Sequence, residues 1–283
     1  MKKRILLPTD FSANSNNAIQ YATQLYKEEE CQFFVLHSCY VPGYAKSNLL
    51  SVDNVDQTVT EAKEEAEKKM EALKTQPPFN TKNTNHTFEY LIEIGDLTDN
   101  LKETIKSKDI ALVLMGTRGE TDSKHLILGS NAVVAMEKIR ACPVLAIPGH
   151  ITYKVAAEIV FPTSFKTTYK EAELATLLEI AKLASAAIRV LYIQKDLEFS
   201  NQQIENKAVL NQILAPAIFT HHKLYNQNLH NGVRSFVQSR DSGMIAFVNK
   251  KHNFFGSIFS NPMVKELGNN TNVPILALHT IKN

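Results

Sequence analysis

Apolar residues along this chain fall into short dense runs separated by stretches of helical spacing. Ile5–Leu7 is such a run, ended by Pro8-Thr9-Asp10-Phe11-Ser12; Ala18, Ile19, Ala22, Leu25 and Tyr26 then mark one face of a helix. Phe33–Cys39 reads as a second strand. Residues 40–55 carry Pro, Gly and Ser and read as a loop. Thr58–Lys74 reads as a solvated outer helix, in which Glu64–Lys68 and Glu65–Lys69 are spaced to add about a few tenths of a kcal/mol each; Pro77 and Pro78 end it. Thr87–Ile94 alternates as a strand does, Leu97–Ser107 is helical, and Ile110–Met115 is a fourth strand. Beyond a glycine-bearing loop, Ala132, Val133, Ala135, Met136 and Ile139 give a helix, and Pro143–Ile147 a fifth strand. Strands alternating with helices predict an α/β, doubly wound domain: a mostly parallel five-stranded sheet with helices on both faces.

Pro148-Gly149-His150 interrupts this pattern, which then begins again. Ile159-Val160-Phe161-Pro162-Thr163-Ser164-Phe165 echoes Leu6–Phe11, and Asn272-Val273-Pro274-Ile275-Leu276-Ala277 echoes Cys142–Ala146. A repeat of domain size predicts two tandem domains of one kind, residues 1–150 and 151–283. In the second copy, Glu171–Ala187 reads as a helix opened by a Thr168/Glu171 capping box, Ile188–Ile193 and Ala217–His222 as strands, Leu229–Ser239 as a helix and Met244–Val248 as a strand. No counterpart of the long charged helix is read there, so the second copy is the shorter.

Composition narrows the function classes. A length of 283 residues suffices for two ordinary cores, and 44% hydrophobic with 21% charged residues is globular usage. The net charge of +2 points to no nucleic-acid or membrane partner. Three cysteines without metal spacing read as reduced thiols of a cytoplasmic protein. The start, MKKRILLPTDF, is not a signal peptide, and no apolar run approaches the ~20 residues of a membrane helix.

Candidate chemistry centres on Leu112–Asn131, where Gly116, Gly119 and Gly129-Ser130 stand between the fourth strand and its helix. Glycines allow close backbone approach, and loop N–H groups together with a helix N-terminus favour an anion, phosphate above all. Ser130 is placed at the N-cap. Arg118 and Lys124 lie in the loop, as phosphate partners or as solvated charges; His125, in the same loop, reads as structural. Asp10 ends the first strand, as the fourth strand ends at Gly116, where a doubly wound sheet puts its ligand; alone, an Asp there is as readily a helix cap or a turn former. His221-His222, adjacent on a strand, point to opposite faces, and no metal site is expected.

The spacing Gly116, two residues, Gly119, nine residues, Gly129-Ser130 resembles the ATP-binding type of the universal stress protein family. That resemblance implies an adenine nucleotide alpha hydrolase-like fold and, in the first domain, a site for ATP or a related adenine nucleotide, with or without Mg2+. It implies that Asp10 touches the nucleoside, that the backbone at His37-Ser38 meets the adenine, and that Gly116, Gly119, Gly129 and Ser130 hold ribose and phosphates. Asn131 adds a donor, and Pro8, Thr9, Met115 and Arg118 complete the expected site. It also implies pairing of the two domains through their last strands, with further assembly into a homodimer open. The implied role is a nucleotide-responsive stress or regulatory protein, not an enzyme. Slow ATP hydrolysis, or an interaction protein with a vestigial site, are the alternatives. The second domain reads as degenerate: Ser164 stands for Asp10, and Val248-Asn249-Lys250-Lys251-His252 for Met115–Gly119. Those last three cationic residues read as a solvated loop or a site for some other anion.

Overall fold

The inner strands of the first half carry short apolar runs, Ile5–Leu7, Phe33–Leu36, Leu112–Leu114 and Val144–Ile147, buried on both faces, which is the signature of parallel pairing under two helical layers. The computed structural model describes residues 2–41, 53–79, 83–117, 129–194, 198–225, 228–249 and 273–279. The described residues divide into two compact units, one running through Gly149 and the other from His150. The first unit runs β1 (Lys3–Pro8), α1 (Ala13–Leu25), β2 (Cys31–Cys39), α2 (Asp53–Lys74), β3 (His86–Ile94), α3 (Leu97–Ser107), β4 (Leu112–Gly116), α4 (Ser130–Lys138) and β5 (Val144–Ile147). Its strands lie in the order β3-β2-β1-β4-β5, with every pair parallel. The order reverses between β1 and β4, because the chain leaves β1 toward β2 on one side and β4 toward β5 on the other. Ile5, Leu6 and Leu7 of β1, Leu112 to Leu114 of β4 and Val144 to Ile147 of β5 form the sheet's part of the core.

The second unit repeats this plan: β6 (Glu158–Pro162), α5 (Glu171–Leu183), β7 (Ala187–Gln194), α6 (Asn201–Leu214), β8 (Phe219–Tyr225), α7 (Leu229–Arg240), β9 (Met244–Asn249) and β10 (Ile275–His279). Its order, β8-β7-β6-β9-β10, is that of the first unit, again with all pairs parallel. The register agrees in detail. Ile5 of β1 pairs with Leu112 as Ile159 of β6 pairs with Met244.

Four sequence expectations need correction. The charged helix α2 begins at Asp53, inside the stretch read as loop, and buries Ala66, Met70 and Leu73; of its expected ion pairs, Glu65–Lys69 is present at 2.8 Å. Helix α5 ends at Leu183, not at Ala187. The Ala-rich tail suits a helix locally, but Ser185 turns the chain at φ 50 and Ala187 pairs with Glu158 in the sheet. It starts at Glu171 as expected, but with a different cap. Lys170 precedes the first turn, and the buried Glu173 carboxylate accepts the Lys170 N–H at 3.1 Å. Finally, the second copy does contain a crossover helix, α6, which periodicity did not reveal because its buried positions include Gln203 and Asn206 beside Leu210 and Leu214. A Ser200/Gln203 capping box marks its start and was available in the sequence.

At the start of β6, Glu158 receives Arg240 Nη2 at 2.6 Å and Nε at 2.8 Å, and lies 2.6 Å from Arg189 Nη2. Hydrogen bonds from Arg240 and then Arg189, acting against the cost of desolvation, hold its carboxyl at about 2 instead of 4.5. A depressed acid stabilises the fold above its unfolded value and loses that contribution as pH falls through its folded value. Glu158→Gln is therefore expected to lower stability at pH 7 by about 1 kcal/mol, a figure reduced for solvent screening of the pair. The gap between parent and variant should close as pH drops from 4.5 toward 2, which thermal melts across that range measure.

Candidate functional site

Beyond β1 the chain makes a tight turn. The Thr9 N–H still donates to the Leu36 carbonyl of β2 at 2.8 Å, so the turn starts anchored to the sheet. The Thr9 hydroxyl accepts the Phe11 N–H at 3.0 Å, and Asp10 Oδ1 accepts from the Ser12 N–H at 3.1 Å and the Ser12 hydroxyl at 2.6 Å. Between them Phe11 takes φ 65, an uncommon left-handed conformation for a bulky residue. Ser12, not Asp10, caps α1, accepting the Ser15 N–H at 3.2 Å. Of the structural roles open to Asp10, the turn-forming one is the one it fills.

The turn fixes a histidine beside it. Phe11 packs on His37 with ring centroids 4.5 Å apart, and His37 Nδ1 lies 2.8 Å from the Thr9 carbonyl. A carbonyl only accepts, so Nδ1 carries the proton and the neutral ring presents Nε2 as an acceptor. Burial pushes the His37 pKa below its usual value, against the raising effects of the Thr9 carbonyl and the Asp10 charge. The imidazole is thus neutral at pH 7. Next to it, Ser38 Oγ accepts from Asn100 Nδ2 of α3 at 3.2 Å.

These groups open onto a cavity of about 270 Å³ at the carboxyl ends of β1 and β4. Eight of the twelve residues expected from the sequence line it: Pro8, Thr9, Asp10, His37, Ser38, Met115, Gly116 and Asn131. Gly129 and Ser130 stand at the start of α4 but do not line the cavity, and Arg118 and Gly119 lie outside the described residues, as do Lys124 and His125. The N-cap of α4 is Gly129, not Ser130, which is the first helical residue. Gly129 has φ −70 and no side chain to cap with, while its own N–H donates to the Thr117 carbonyl. Among the described residues no side chain caps the first N–H groups of α4, at an end where Asn131 and Ala132 line the cavity.

Gly116 has a reason for being glycine that the sequence did not disclose. A Cβ there would stand 3.0 Å from the Asn14 backbone oxygen, so α1 packs against β4 only where no side chain intervenes. Sequence reasoning also missed Ser15, Tyr40, Asp96 and Thr117, which line the same cavity. Thr117 is 1% exposed, and its hydroxyl oxygen has no hydrogen-bond partner among the described residues. Asp96 caps α3, accepting from the Thr98 N–H at 2.8 Å and the Asp99 N–H at 3.2 Å. The Gly95-Asp96 pair before a helical run was the legible signal for it.

In the second unit the turn survives and its chemistry does not. Phe165 again takes a positive φ, 56, with its N–H on the Thr163 hydroxyl at 3.1 Å. Where Ser15 Oγ lies 3.1 Å from the Thr9 hydroxyl, the buried Tyr169 hydroxyl lies 2.9 Å from Thr163. Gln203 and Asn206 of α6 donate to the carbonyls of Ser164 and Phe165, each at 2.8 Å. The strand register places Val248, not Asn249, opposite the position of Gly116, a shift of one residue from the sequence reading. Lys250, Lys251 and His252 lie outside the described residues. His221 and His222 contact different neighbours, Asn211 Oδ1 at 2.7 Å and the Thr220 hydroxyl at 2.8 Å. Among the described residues no three His, Cys, Asp or Glu side chains are grouped to hold a metal ion, and Cys31, Cys39 and Cys142 are buried and form no disulfide.

Comparison with known proteins agrees with this architecture. The model of the universal stress protein family matches residues 1–148. Universal stress protein MJ0577 of Methanocaldococcus jannaschii is 25% identical over 142 residues, which is 46% of this chain and 85% of that one. Among solved structures, a universal stress protein from Archaeoglobus fulgidus DSM 4304 is similar with a TM-score of 0.66 and 15% identity, over 98% of this chain and 96% of that one. Protein PA1789 from Pseudomonas aeruginosa PAO1 is similar with a TM-score of 0.56 and 12% identity, over 98% and 92%. At such identities the structural likeness concerns the fold alone, and it extends over both halves. With more than half of its length matched by the family model, this chain belongs to the universal stress protein family.

Proposed function

We propose that the first unit binds ATP or a related adenine nucleotide and that the protein is a nucleotide-responsive stress or regulatory protein, not an enzyme. The observation that carries this reading is a convergence at the switch point. The Asp10 carboxylate, the α4 N-terminus without a side-chain cap and the buried Thr117 hydroxyl all meet one cavity. The helix end suits phosphate, and a carboxylate suits the ribose hydroxyls. Gly129, Ser130, Arg118 and Gly119 complete the phosphate side, as the family resemblance implies. Mg2+ ordinarily binds through phosphate oxygens, one or two carboxylates and water, so an accompanying ion needs no dedicated protein cage.

Phosphoryl transfer needs a placed base or a water-orienting group. Asp10 is held by Ser12, and His37 has one nitrogen tied to the Thr9 carbonyl. Slow hydrolysis is therefore the most that this site supports. The second unit, with Tyr169 and Val248 at the places of Ser15 and Gly116, is read as a degenerate domain with an interaction role. Domains of residues 1–150 and 151–283, pairing through their last strands and a cytoplasmic location belong to the same proposal; no helix among the described residues is long and apolar enough to cross a membrane.

Three measurements test it. Calorimetry on the full chain is expected to give one ATP per chain, and two equivalent sites would overturn the degeneracy of the second unit. Asp10→Asn keeps the turn acceptor Oδ1 and removes the charge, so ATP affinity should fall about ten- to a hundredfold, from a charged hydrogen bond worth roughly 1.5–3 kcal/mol, with little change in melting temperature. Gly129→Val, at an ordinary φ of −70, should fold and yet bind ATP poorly because its side chain blocks backbone approach to phosphate. Normal ATP binding by both variants returns the vestigial-site reading to first place. For domain pairing, amide exchange in β5 and β10 is expected to be as slow as in central strands, whereas rapid exchange in both would speak for open edges.

A further inference from the structure

The mouth of the cavity carries an aromatic ring that the fold itself does not use. Tyr40, just beyond β2, is 75% exposed and lines the cavity, unlike the other large hydrophobic residues exposed among those described, Val155, Ile204, Ile218 and Tyr225. Three residues earlier is His37, whose ring is fixed on one side by Phe11 and at Nδ1 by the Thr9 carbonyl. Its Nε2 has no hydrogen-bond partner among the described residues. A stacking face and an oriented lone pair thus line one cavity, both from side chains at the end of one strand.

We propose that Tyr40 and His37 are the specificity-determining residues for the nucleobase: Tyr40 stacks on the purine, and His37 Nε2 accepts a hydrogen bond from the exocyclic 6-amino group. The inference rests on the nucleotide reading above and deepens it. A 6-amino group donates, whereas the 6-oxo group of inosine or guanosine accepts and meets the lone pair unfavourably. The site therefore selects adenine by side-chain chemistry and not by shape alone. Burial favours the neutral ring needed for this, and the charges acting on it are Asp10 from the turn after β1 and the Glu65–Lys69 pair from α2. Asn100, through Ser38, steadies the neighbouring hydroxyl on the opposite face of the strand.

The test compares ATP with inosine triphosphate, which differs in the 6-oxo group and the N1 proton that accompanies it, and uses inorganic tripolyphosphate as a probe without a base. The parent protein should bind ATP about tenfold more tightly than inosine triphosphate, the size of one net hydrogen bond. His37→Phe keeps a ring against Phe11 and removes the acceptor, so the two nucleotides should come to within about threefold. Tyr40→Leu, at an exposed position where folding is not at stake, should weaken both nucleotides by about five- to a hundredfold and leave their ratio unchanged, while Tyr40→Phe binds as the parent does. Tripolyphosphate affinity should be the same in every variant. Failure of the parent to bind ATP overturns the nucleotide reading and this one with it. ATP binding with equal affinity for inosine triphosphate, or a preference that survives His37→Phe, overturns the base reader alone, as does Tyr40→Leu binding like the parent.

Discussion

A single hydroxyl holds the chain beyond β1 in a conformation that phenylalanine avoids. Thr9 Oγ1 takes the Phe11 N–H and so braces Phe11 at φ 65. Left-handed geometry in a non-glycine residue costs on the order of 1 kcal/mol. That cost is offset where it arises, by the two hydrogen bonds from Ser12 to Asp10 and by the ring packing on His37. From this turn follow the direction of the Asp10 carboxylate, the tautomer of His37 and the angle at which α1 enters. The candidate site is a consequence of how a strand is made to become a helix across four residues, Thr9 to Ser12.

The second unit shows that this turn and the ligand chemistry are separable. Thr163 and Phe165 reproduce the hydroxyl contact and the positive φ, so the turn serves the fold in both units. What differs is the company it keeps. Tyr169 takes the place of Ser15 with a much larger buried side chain, and α6 sends Gln203 and Asn206 onto the turn carbonyls. Val248 brings a β-branched side chain to the register of Gly116. Each change converts an open polar surface into packed or internally bonded structure, and none disturbs the strand order.

Gly116 joins the two roles in the first unit. Its missing side chain lets the α1 backbone approach the end of β4, beside a cavity that Asp10 and Asn131 of α4 also line. A glycine that reads as a phosphate-loop residue is therefore also a packing residue. Gly129 is the reverse case: its φ of −70 is open to any residue, so its own backbone does not require glycine.

Much of this was determined by the sequence alone, because it is written in local periodicity. The alternation of apolar runs with helical spacing specified two doubly wound halves, and the span Leu97–Ser107 is the helix the pattern predicts. The glycine spacing and Asp10 pointed to the ends of two strands, where a cavity lies, since topology rules bring those ends together. What only the tertiary structure decided are features with no short-range signature. Helix α6 buries amides, so its period is faint; Ala187 belongs to a strand because Glu158 pairs with it, although its neighbours would suit a helix. Thr117, Tyr40 and Asp96 come from three separate loops, and only sheet order sets them around one cavity. Above all, the neutral His37 with a directed Nε2 depends on a carbonyl twenty-eight residues away along the chain, a contact that exists because β1 and β2 lie side by side.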